Sequence, residues 1–232
     1  MGVSAGPDVI ENGLVLALDA SDINSYPGSG TTWTDLSGNG NNGTLVNMDG
    51  TNLNSANGGS LTFDGSNEYV SLSRIIQDDF TISCWFKTTQ SYQTSTQVQW
   101  YRGAGLVDAE VAGITNDFGM SLQAGKVDFG VGNSDTTIQS TLTYNDDIWH
   151  CAVGTRNKTN GSINLYVDGS FITSGTGNTN SLTGATTIRI GSIQTNIQFF
   201  NGNIAQVSMY NRALTASEIQ QNYIALKGRF GL

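Results

Sequence analysis

Four oxygen-bearing side chains cluster in the middle of the sequence. Asp108 and Glu110 precede a short turn that contains Gly113, and Asn116 and Asp117 follow it. If the flanking strands pair as a hairpin, the carboxylate and amide oxygens of these residues converge. Calcium takes about six to eight oxygen ligands of this kind. The spacing predicts calcium as the cofactor to test first, with solvated turns that bind no metal as the alternative.

The loop that carries Asp35, Asn39 and Asn41 is a second candidate for calcium. Asp and Asn are also ordinary turn residues, because their side chains hydrogen-bond the nearby backbone. Neither segment contains a D-x-D-x-D-G pattern, so a calcium site in this chain would be irregular.

Three aromatic residues in or beside the polar stretch Ser91–Gln99 are candidates for sugar binding. Tyr92, Trp100 and Tyr101 lie among polar neighbours in the sequence, which favours exposed rings. An exposed aromatic ring offers a flat apolar surface on which a sugar ring can stack. We therefore expect these three side chains to contribute to a ligand site. The other large indoles are expected to anchor the core or a sheet face: Trp33, Trp85 and Trp149.

The residues that most enzymes use for covalent or acid–base chemistry are scarce. His150 is the single histidine, and strand alternation places the adjacent Cys151 on the opposite face, which excludes a thiolate–imidazole pair. With one histidine and no cluster of cysteines, the sequence also lacks the ligands of a catalytic zinc site. Asp108 and Glu110 are the nearest approach to the carboxylate pair of a glycosidase. No phosphate-binding glycine loop follows a strand. The sequence predicts a protein that is not an enzyme.

The composition favours a folded β-rich chain. The 232 residues include 29 glycines, and only 12% of them are charged. The formal net charge is −9, which repels phosphate backbones and predicts no nucleic-acid partner. No apolar run approaches the length of a membrane-spanning helix, so no membrane insertion is expected. The N-terminal residues lack the basic and apolar regions of a secretory signal peptide.

About a dozen short segments alternate apolar and polar residues between Gly- or Asn-bearing turns. This spacing predicts an all-β fold, one antiparallel two-sheet sandwich. Segment Phe80–Lys87 places Trp85 on one face and the residues at 80, 82, 84 and 86 on the other. Segment Gln97–Gly103 is also predicted to be a strand, and Asp168-Gly169 gives the strongest signal for a hairpin turn.

The two cysteines, Cys84 and Cys151, lie within apolar strand-like runs. Free cysteine behaves as a small hydrophobic residue and is often buried. We expect two buried thiols, with a disulfide between them as the alternative.

One clear helix is predicted near the end of the chain, over residues 216–227. Thr215 and Glu218 have the spacing of a capping box, and an apolar stripe follows at 219, 223 and 226. Gly228 is expected to end the helix. We expect the helix to pack against the sandwich rim or to cover a sheet edge. Residues 1–12 are interpreted as an N-terminal arm, and residues 13–232 as one sandwich domain that includes the helix.

Four segments, in their order, resemble the laminin-G-like branch of the concanavalin A-like jelly rolls. They are W-T-D-L-S-G-N-G at 33–40, F-T-I-S-C-W-F at 80–86, W-H at 149–150 with L-Y-V-D-G at 165–169, and the closing stretch at 200–223. The resemblance implies a two-sheet jelly roll, often a glycan- or protein-binding module, sometimes with one calcium at a rim. Some enzymes of this fold carry an E-x-D-x-x-E strand, which this chain lacks.

The stretch from 200 to 232 especially resembles phage virion proteins that carry this domain. That resemblance implies a non-enzymatic surface protein of the virion, made in the host cytoplasm, as a head decoration or a tail- or fibre-associated component. It implies oligomeric assembly with other virion proteins of the capsid or tail, and host-surface glycans as further partners. A free-standing lectin-like carbohydrate-binding module is the first alternative, and a glycan-cleaving enzyme on the same fold is the second.

Overall fold

The structure is a computed structural model, and it describes residues 7–92, 96–113, 115–194 and 198–232. These residues form two antiparallel sheets of eight strands each. Sheet 1 contains, in spatial order, β14 (Ser170–Thr176), β13 (Ser162–Val167), β12 (His150–Asn157), β7 (Phe80–Lys87), β16 (Asn201–Tyr210), β5 (Ser60–Asp64) and β4 (Leu53–Asn54), and β1 (Leu14–Asp19) also pairs with β16.

Sheet 2 packs against sheet 1 and completes the sandwich. Its strands are, in spatial order, β11 (Thr136–Gln139), β10 (Lys126–Val131), β9 (Phe118–Gln123), β8 (Ala104–Asp108), β15 (Thr187–Ile190), β6 (Tyr69–Ser73), β3 (Gly43–Val46) and β2 (Thr32–Trp33). The predicted all-β jelly-roll sandwich with one short C-terminal helix is confirmed.

The main core lies between the two sheets and follows the predicted alternation. Phe80, at the start of β7, packs against Phe118 of β9 and Phe129 of β10, with ring centroids 4.8 Å and 6.3 Å away. Cys84 points into this core, whereas Trp85 and Cys151 belong to a separate apolar cluster on the outer face of sheet 1. Both thiols are free and buried, so the disulfide alternative is wrong.

The helix α1 covers Ala216–Lys227, as predicted, because its capping signals are local. Glu218 accepts hydrogen bonds from the Thr215 backbone and from Arg212, whose Nη2 lies 2.7 Å from Oε1. The Arg212 guanidinium, followed by the Thr215 N–H, lowers the pKa of Glu218 to about 2. A carboxylate fixed in the first turn also interacts favourably with the helix dipole.

The position of α1 differs from the prediction. The helix packs on the outer face of sheet 1, where Ile219 joins the apolar cluster around Trp85, and its Tyr223 lies over Gly169 beside the edge strand β14. Gly228 is the C-cap of α1, as predicted. A turn of 3-10 helix, Gly228–Phe230, continues it, and Gly231 takes the left-handed conformation at φ 76°. This turn inserts Phe230 into the cluster, 4.2 Å from the Trp85 ring.

The described part of the N-terminal segment, residues 7–12, lies against α1. The Ile10 N–H donates to Asn222 Oδ1 at 2.8 Å. Gln221 Nε2 donates to the Asp8 carbonyl at 2.8 Å. Residues 1–6 of the predicted arm lie outside the described residues.

The loop after β2 closes the outer edge of β1. Asp35 Oδ1 accepts the Ala17 N–H at 2.9 Å, and Asp35 Oδ2 accepts the Asn41 N–H at 3.0 Å. Asn39 and Asn41 donate their side-chain amides to the carbonyls of residues 14 and 15. The three side chains of the second calcium candidate therefore act as a substitute for a neighbouring strand, which shields the edge from other chains.

The Asp168-Gly169 turn joins β13 and β14 as predicted. Both residues have positive φ, 52° and 74°, which is the type I′ pattern of a two-residue hairpin. The described residues contain no helix long and apolar enough to cross a membrane.

Candidate ligand-binding site

The predicted hairpin between β8 and β9 forms, and it gathers the acidic residues. Asp108 lies opposite Gly119 in the ladder, and the Ala109 N–H donates to the Phe118 carbonyl at 2.9 Å. Residues 109–117 connect the two strands, and the structure describes all of them except residue 114. Asp108, Glu110 and Asp117 are consequently held at one end of the hairpin.

Asp108 is completely buried at the start of this group. Its Oδ2 accepts the N–H groups of Glu110 and Gln194, both at 2.9 Å. Its Oδ1 is buried and has no hydrogen-bond partner within the part of the chain that the structure describes. Burial raises the pKa of Asp108 well above its usual value, because it outweighs the two backbone hydrogen bonds.

Glu110 and Asp117 continue the acidic group. Glu110 is 7% exposed, and its Oε2 is buried with no partner among the residues that the structure describes. Burial, with smaller contributions from the charges of Asp117 and Asp135, raises the pKa of Glu110 to about 7. Asp117 Oδ2 accepts the Val111 N–H at 2.9 Å, which holds the connecting segment in place. Burial also raises the pKa of Asp117.

Asn116 lies next to the acidic group, but its side chain hydrogen-bonds neighbouring loops. Its Oδ1 accepts from the side-chain amides of Asn133 at 3.1 Å and Asn180 at 3.2 Å. The Asn116 carbonyl accepts the Gly184 N–H at 2.7 Å. Asn116 therefore links three loops at this end of the sandwich.

Trp100 is fully buried, so its predicted role as an exposed stacking platform is wrong. The segment predicted as a strand, Gln97–Gly103, instead contains a turn of 3-10 helix over Trp100–Arg102. The indole lies on the outer face of sheet 2 over Gly119 and Gly130, which are cross-strand partners. A Cβ on Gly130 would lie 2.3 Å from the ring, so this close packing requires glycine. Trp100 thus anchors the turn to the sheet.

Tyr101 follows this anchor and is half-buried. Its hydroxyl donates to Asp135 Oδ2 at 3.0 Å, and its ring contacts the Trp100 ring edge-to-face at 5.0 Å. The Arg102 guanidinium lies 5.7 Å from the Tyr101 ring centroid. Burial raises the pKa of Tyr101, and the hydrogen bond to Asp135 adds to this effect.

The aromatic and acidic residues meet at one open depression of about 310 Å³. Its described lining consists of Trp100, Tyr101, Glu110, Ala112, Gly113, Asp117 and Asp135. The sequence separately predicts sugar-binding and calcium-binding residues, and the fold brings members of both sets together here. The sequence did not predict Asp135 as a site residue, because it lies after β10, distant from the other site residues in the chain, and belongs to no motif.

Tyr92 is not among the described residues that line this depression. It is half-buried and packs against the main core. Its carbonyl accepts the Ala124 N–H at 2.7 Å. Burial raises the pKa of the Tyr92 hydroxyl.

The acidic group offers a cation two buried, unpartnered oxygens, Asp108 Oδ1 and Glu110 Oε2. The other predicted ligands already accept hydrogen bonds through Asn116 Oδ1 and Asp117 Oδ2. Within the ranges that the structure describes, no three His, Cys, Asp or Glu side chains are grouped to hold a metal ion. The two unpartnered oxygens are fewer than the about six to eight that calcium takes, and calcium stays a prediction of the sequence.

The two-sheet architecture and the covering helix define a concanavalin A-like jelly roll. A family model described as the concanavalin A-like lectin/glucanases superfamily, Laminin_G_3, matches residues 64–220, more than half of the chain. The chain belongs to this family. A comparison with curated protein sequences gives no match.

Solved structures share the fold at low sequence identity. Domain 4 of AbnA, a GH43 extracellular arabinanase from Geobacillus stearothermophilus solved with arabinotriose, is 19% identical, with a TM-score of 0.69 over 90% of this chain and 98% of that domain. The binding domain of Paraclostridial Mosquitocidal Protein 1 is 20% identical, with a TM-score of 0.67 over 92% of this chain and 52% of that one. The botulinum neurotoxin serotype D binding domain is 15% identical, with a TM-score of 0.67 over 92% and 52%. The chain spans about half the length of these two toxin domains.

Proposed function

We propose that this protein is a non-enzymatic module that binds a glycan in the depression beside Tyr101. The observation that carries the proposal is that a partly exposed aromatic ring and the carboxylates of Glu110, Asp117 and Asp135 line one depression of about 310 Å³. Ligand sites of this type combine apolar surface with a few converging polar groups. Sugar rings match both features, because they present C–H faces to aromatic rings and hydroxyl donors to carboxylates.

The Trp100 anchor supports binding because it fixes the position of Tyr101 before any ligand arrives. A preorganised side chain loses little conformational entropy when it binds. The same-fold domain of the arabinanase, solved with arabinotriose, supports a sugar as the ligand class.

A glycan array tests this proposal. Selective binding should fall by about tenfold or more in Tyr101→Ala, since each 1.4 kcal/mol of lost affinity is a factor of about ten. Phe171→Ala is the matched control, because Phe171 is an exposed aromatic residue on β14. Tyr101→Phe removes only the hydroxyl, so it tests the Asp135 hydrogen bond without loss of the ring. An array without selective hits, or equal losses in Tyr101→Ala and the control, would contradict the proposal.

Glycan cleavage is the second candidate function, and the pKa of about 7 for Glu110 favours it. A glycosidase needs a carboxylic acid that is still protonated near neutral pH beside a second, ionised carboxylate. Release of reducing ends from a broad panel of glycans, abolished by Glu110→Gln, would establish this activity. Against it, Asp117 Oδ2 is occupied by the Val111 N–H and the Thr115 hydroxyl, which suits a structural role.

We place this module on the surface of a phage virion, in the capsid or tail, within an oligomeric assembly. The resemblance of the segment from 200 to 232 to phage virion proteins supports this placement, and host-surface glycans would then be the natural ligands. Mass spectrometry of purified particles tests it. The protein should be present at a fixed copy number, and its absence from particles would leave the alternative of a free-standing lectin-like module.

Calcium binding at Asp108 and Glu110 is a separate hypothesis. A bound ion stabilises the folded state, so EDTA should lower the melting temperature and added calcium should restore it if this hypothesis is correct. Glu110→Gln should remove that response. An EDTA-insensitive melting temperature would exclude calcium as a stabilising ligand.

A further inference from the structure

We infer that the glycan in this depression carries a free amine, so that the ligand class is a cationic amino sugar. The inference rests on the proposed glycan-binding function and makes it more specific. It depends on the juxtaposition of several carboxylates with buried polar atoms that have no partner among the described residues.

The charged side chains in the described lining of the depression are all acidic. Glu110, Asp117 and Asp135 line it, and Asp108 lies directly behind them. The described lining contains no Lys, Arg or His side chain. The Arg102 guanidinium is nearby, but it is placed over the Tyr101 ring at 5.7 Å. A positively charged group is therefore the complement of this surface.

Unpartnered buried atoms give a second and independent indication. Glu110 Oε2 is a buried acceptor on a lining residue, and Glu110 is only 7% exposed. Asp108 Oδ1, behind the lining, is a second buried acceptor without a partner among the described residues. Buried polar atoms in native proteins are nearly always hydrogen-bonded, so atoms left without partners at a depression indicate a bound group.

An ammonium group satisfies this site better than a hydroxyl. It has three N–H donors and no acceptor, so it can serve Glu110 and a second carboxylate together. Hydrogen bonds between charged partners are also about twice as strong as neutral ones. A neutral sugar leaves the carboxylates uncompensated, and a uronic or sialic acid adds a repelling charge.

Isothermal titration with three hexasaccharides tests the inference: a glucosamine oligomer with free amines, its fully N-acetylated counterpart, and an oligomer of a uronic acid. At neutral pH, where Glu110 with its pKa of about 7 is substantially ionised, we expect the free-amine oligomer to bind at least about tenfold more tightly than the N-acetylated one, and the uronic acid not to bind. Glu110→Gln and Asp135→Asn keep the shape of each side chain and should each reduce that preference. Glu11→Gln is the matched control, because it removes one exposed charge from the N-terminal segment.

Each alternative outcome overturns a different statement. If no hexasaccharide binds and the glycan array is also blank, the proposed function fails. If the N-acetylated or uronic oligomer binds as well as the free amine, this inference fails while glycan binding stands. An equal loss in Glu11→Gln would show that the preference comes from the net charge of the chain. Loss of binding in EDTA would also overturn the inference, because a metal ion would then supply the positive charge.

Discussion

The indole of Trp100 lies against the backbone of Gly119, so closely that a Cβ on Gly119 would be 2.6 Å from its Cδ1. The same Cβ would lie 2.5 Å from Asp108 Oδ1. Because Gly119 has no side chain, β9 leaves room for both Trp100, which anchors Tyr101, and Asp108, the most deeply buried carboxylate of the site.

We expect Gly119→Ala to destabilise the fold and to weaken glycan binding together. Overpacking of a well-packed site typically costs about 1–3 kcal/mol, and the displaced indole would move Tyr101. Chemical denaturation and titration with the glycan measure the two effects. Gly228→Ala is the control, because a Cβ there meets no atom within 4 Å. Unchanged stability and affinity in Gly119→Ala would show that the ring does not occupy this position.

Trp149 should be essential to the attachment of the C-terminal segment. The ring is 6% exposed and lies 4.8 Å from Phe230. We expect Trp149→Ala to lower the free energy of unfolding by roughly 3–5 kcal/mol, the usual cost of deleting a buried indole. Phe171→Ala, which removes an exposed ring, should change it by less than about 0.5 kcal/mol. Equal effects in the two variants would mean that the cluster on sheet 1 contributes little.

His150 should make stability depend on pH. Its Nδ1 lies 2.7 Å from Asp168 Oδ2 and its Nε2 lies 3.1 Å from Asp146 Oδ1. Burial lowers the pKa of His150, but the hydrogen bonds and charges of Asp168 and Asp146 outweigh it and raise the pKa above 6.5. Because the folded pKa exceeds the unfolded one, this contribution is complete below about pH 6.5 and is lost as the pH rises through the folded value.

The stability of the wild-type protein relative to His150→Gln should therefore fall as the pH is raised through neutrality. Denaturation at a series of pH values measures this difference, and the subtraction removes the contributions of other groups that titrate in both proteins. A difference that is constant across the range would show that His150 is not held as a cation.

Asp128 should oppose folding at high pH. It is buried on β10 opposite Ser121 and Gln139, and the lowering effects of the Gln139 side chain and the Lys126 charge on its pKa are smaller than the effect of burial. Burial raises its pKa to about 7, so folding loses free energy as the pH rises through that value and the buried group ionises. We expect Asp128→Asn to be more stable than the wild type at about pH 8, and the gain to shrink towards about pH 5. Glu11→Gln is the matched control, and a gain independent of pH would contradict this account.

Sequence signals predict this fold best where the determinants are local. The bounds of α1 follow from the Thr215–Glu218 capping box and from the apolar stripe, all within one segment. Alternation alone predicts which side chains of β7 point into the main core, because one face of the strand is buried against the other sheet. The position of α1 was mispredicted because it depends on the outer face of sheet 1, where residues from distant strands form a second apolar cluster.

The candidate site was predicted only in part for the same reason. The β8–β9 hairpin brings Glu110 and Asp117 together from neighbouring segments, so spacing was sufficient to associate them. The burial of Trp100 depends on Gly119 and Gly130, which no pattern around residue 100 reveals. Asp135 joins the site only through the pairing of β10 and β11, and Tyr92 shows that a polar sequence context does not ensure an exposed ring.

Both ends of the described chain rest on the outer face of sheet 1, through Ile10 and Phe230, whereas Trp100 and its neighbours lie over sheet 2. A tether or a larger partner attached at either end would therefore leave the depression unobstructed. Attachment through sheet 1 and ligand binding over sheet 2 would therefore not compete for the same surface. Many copies attached side by side through sheet 1 would all expose the depression to solvent.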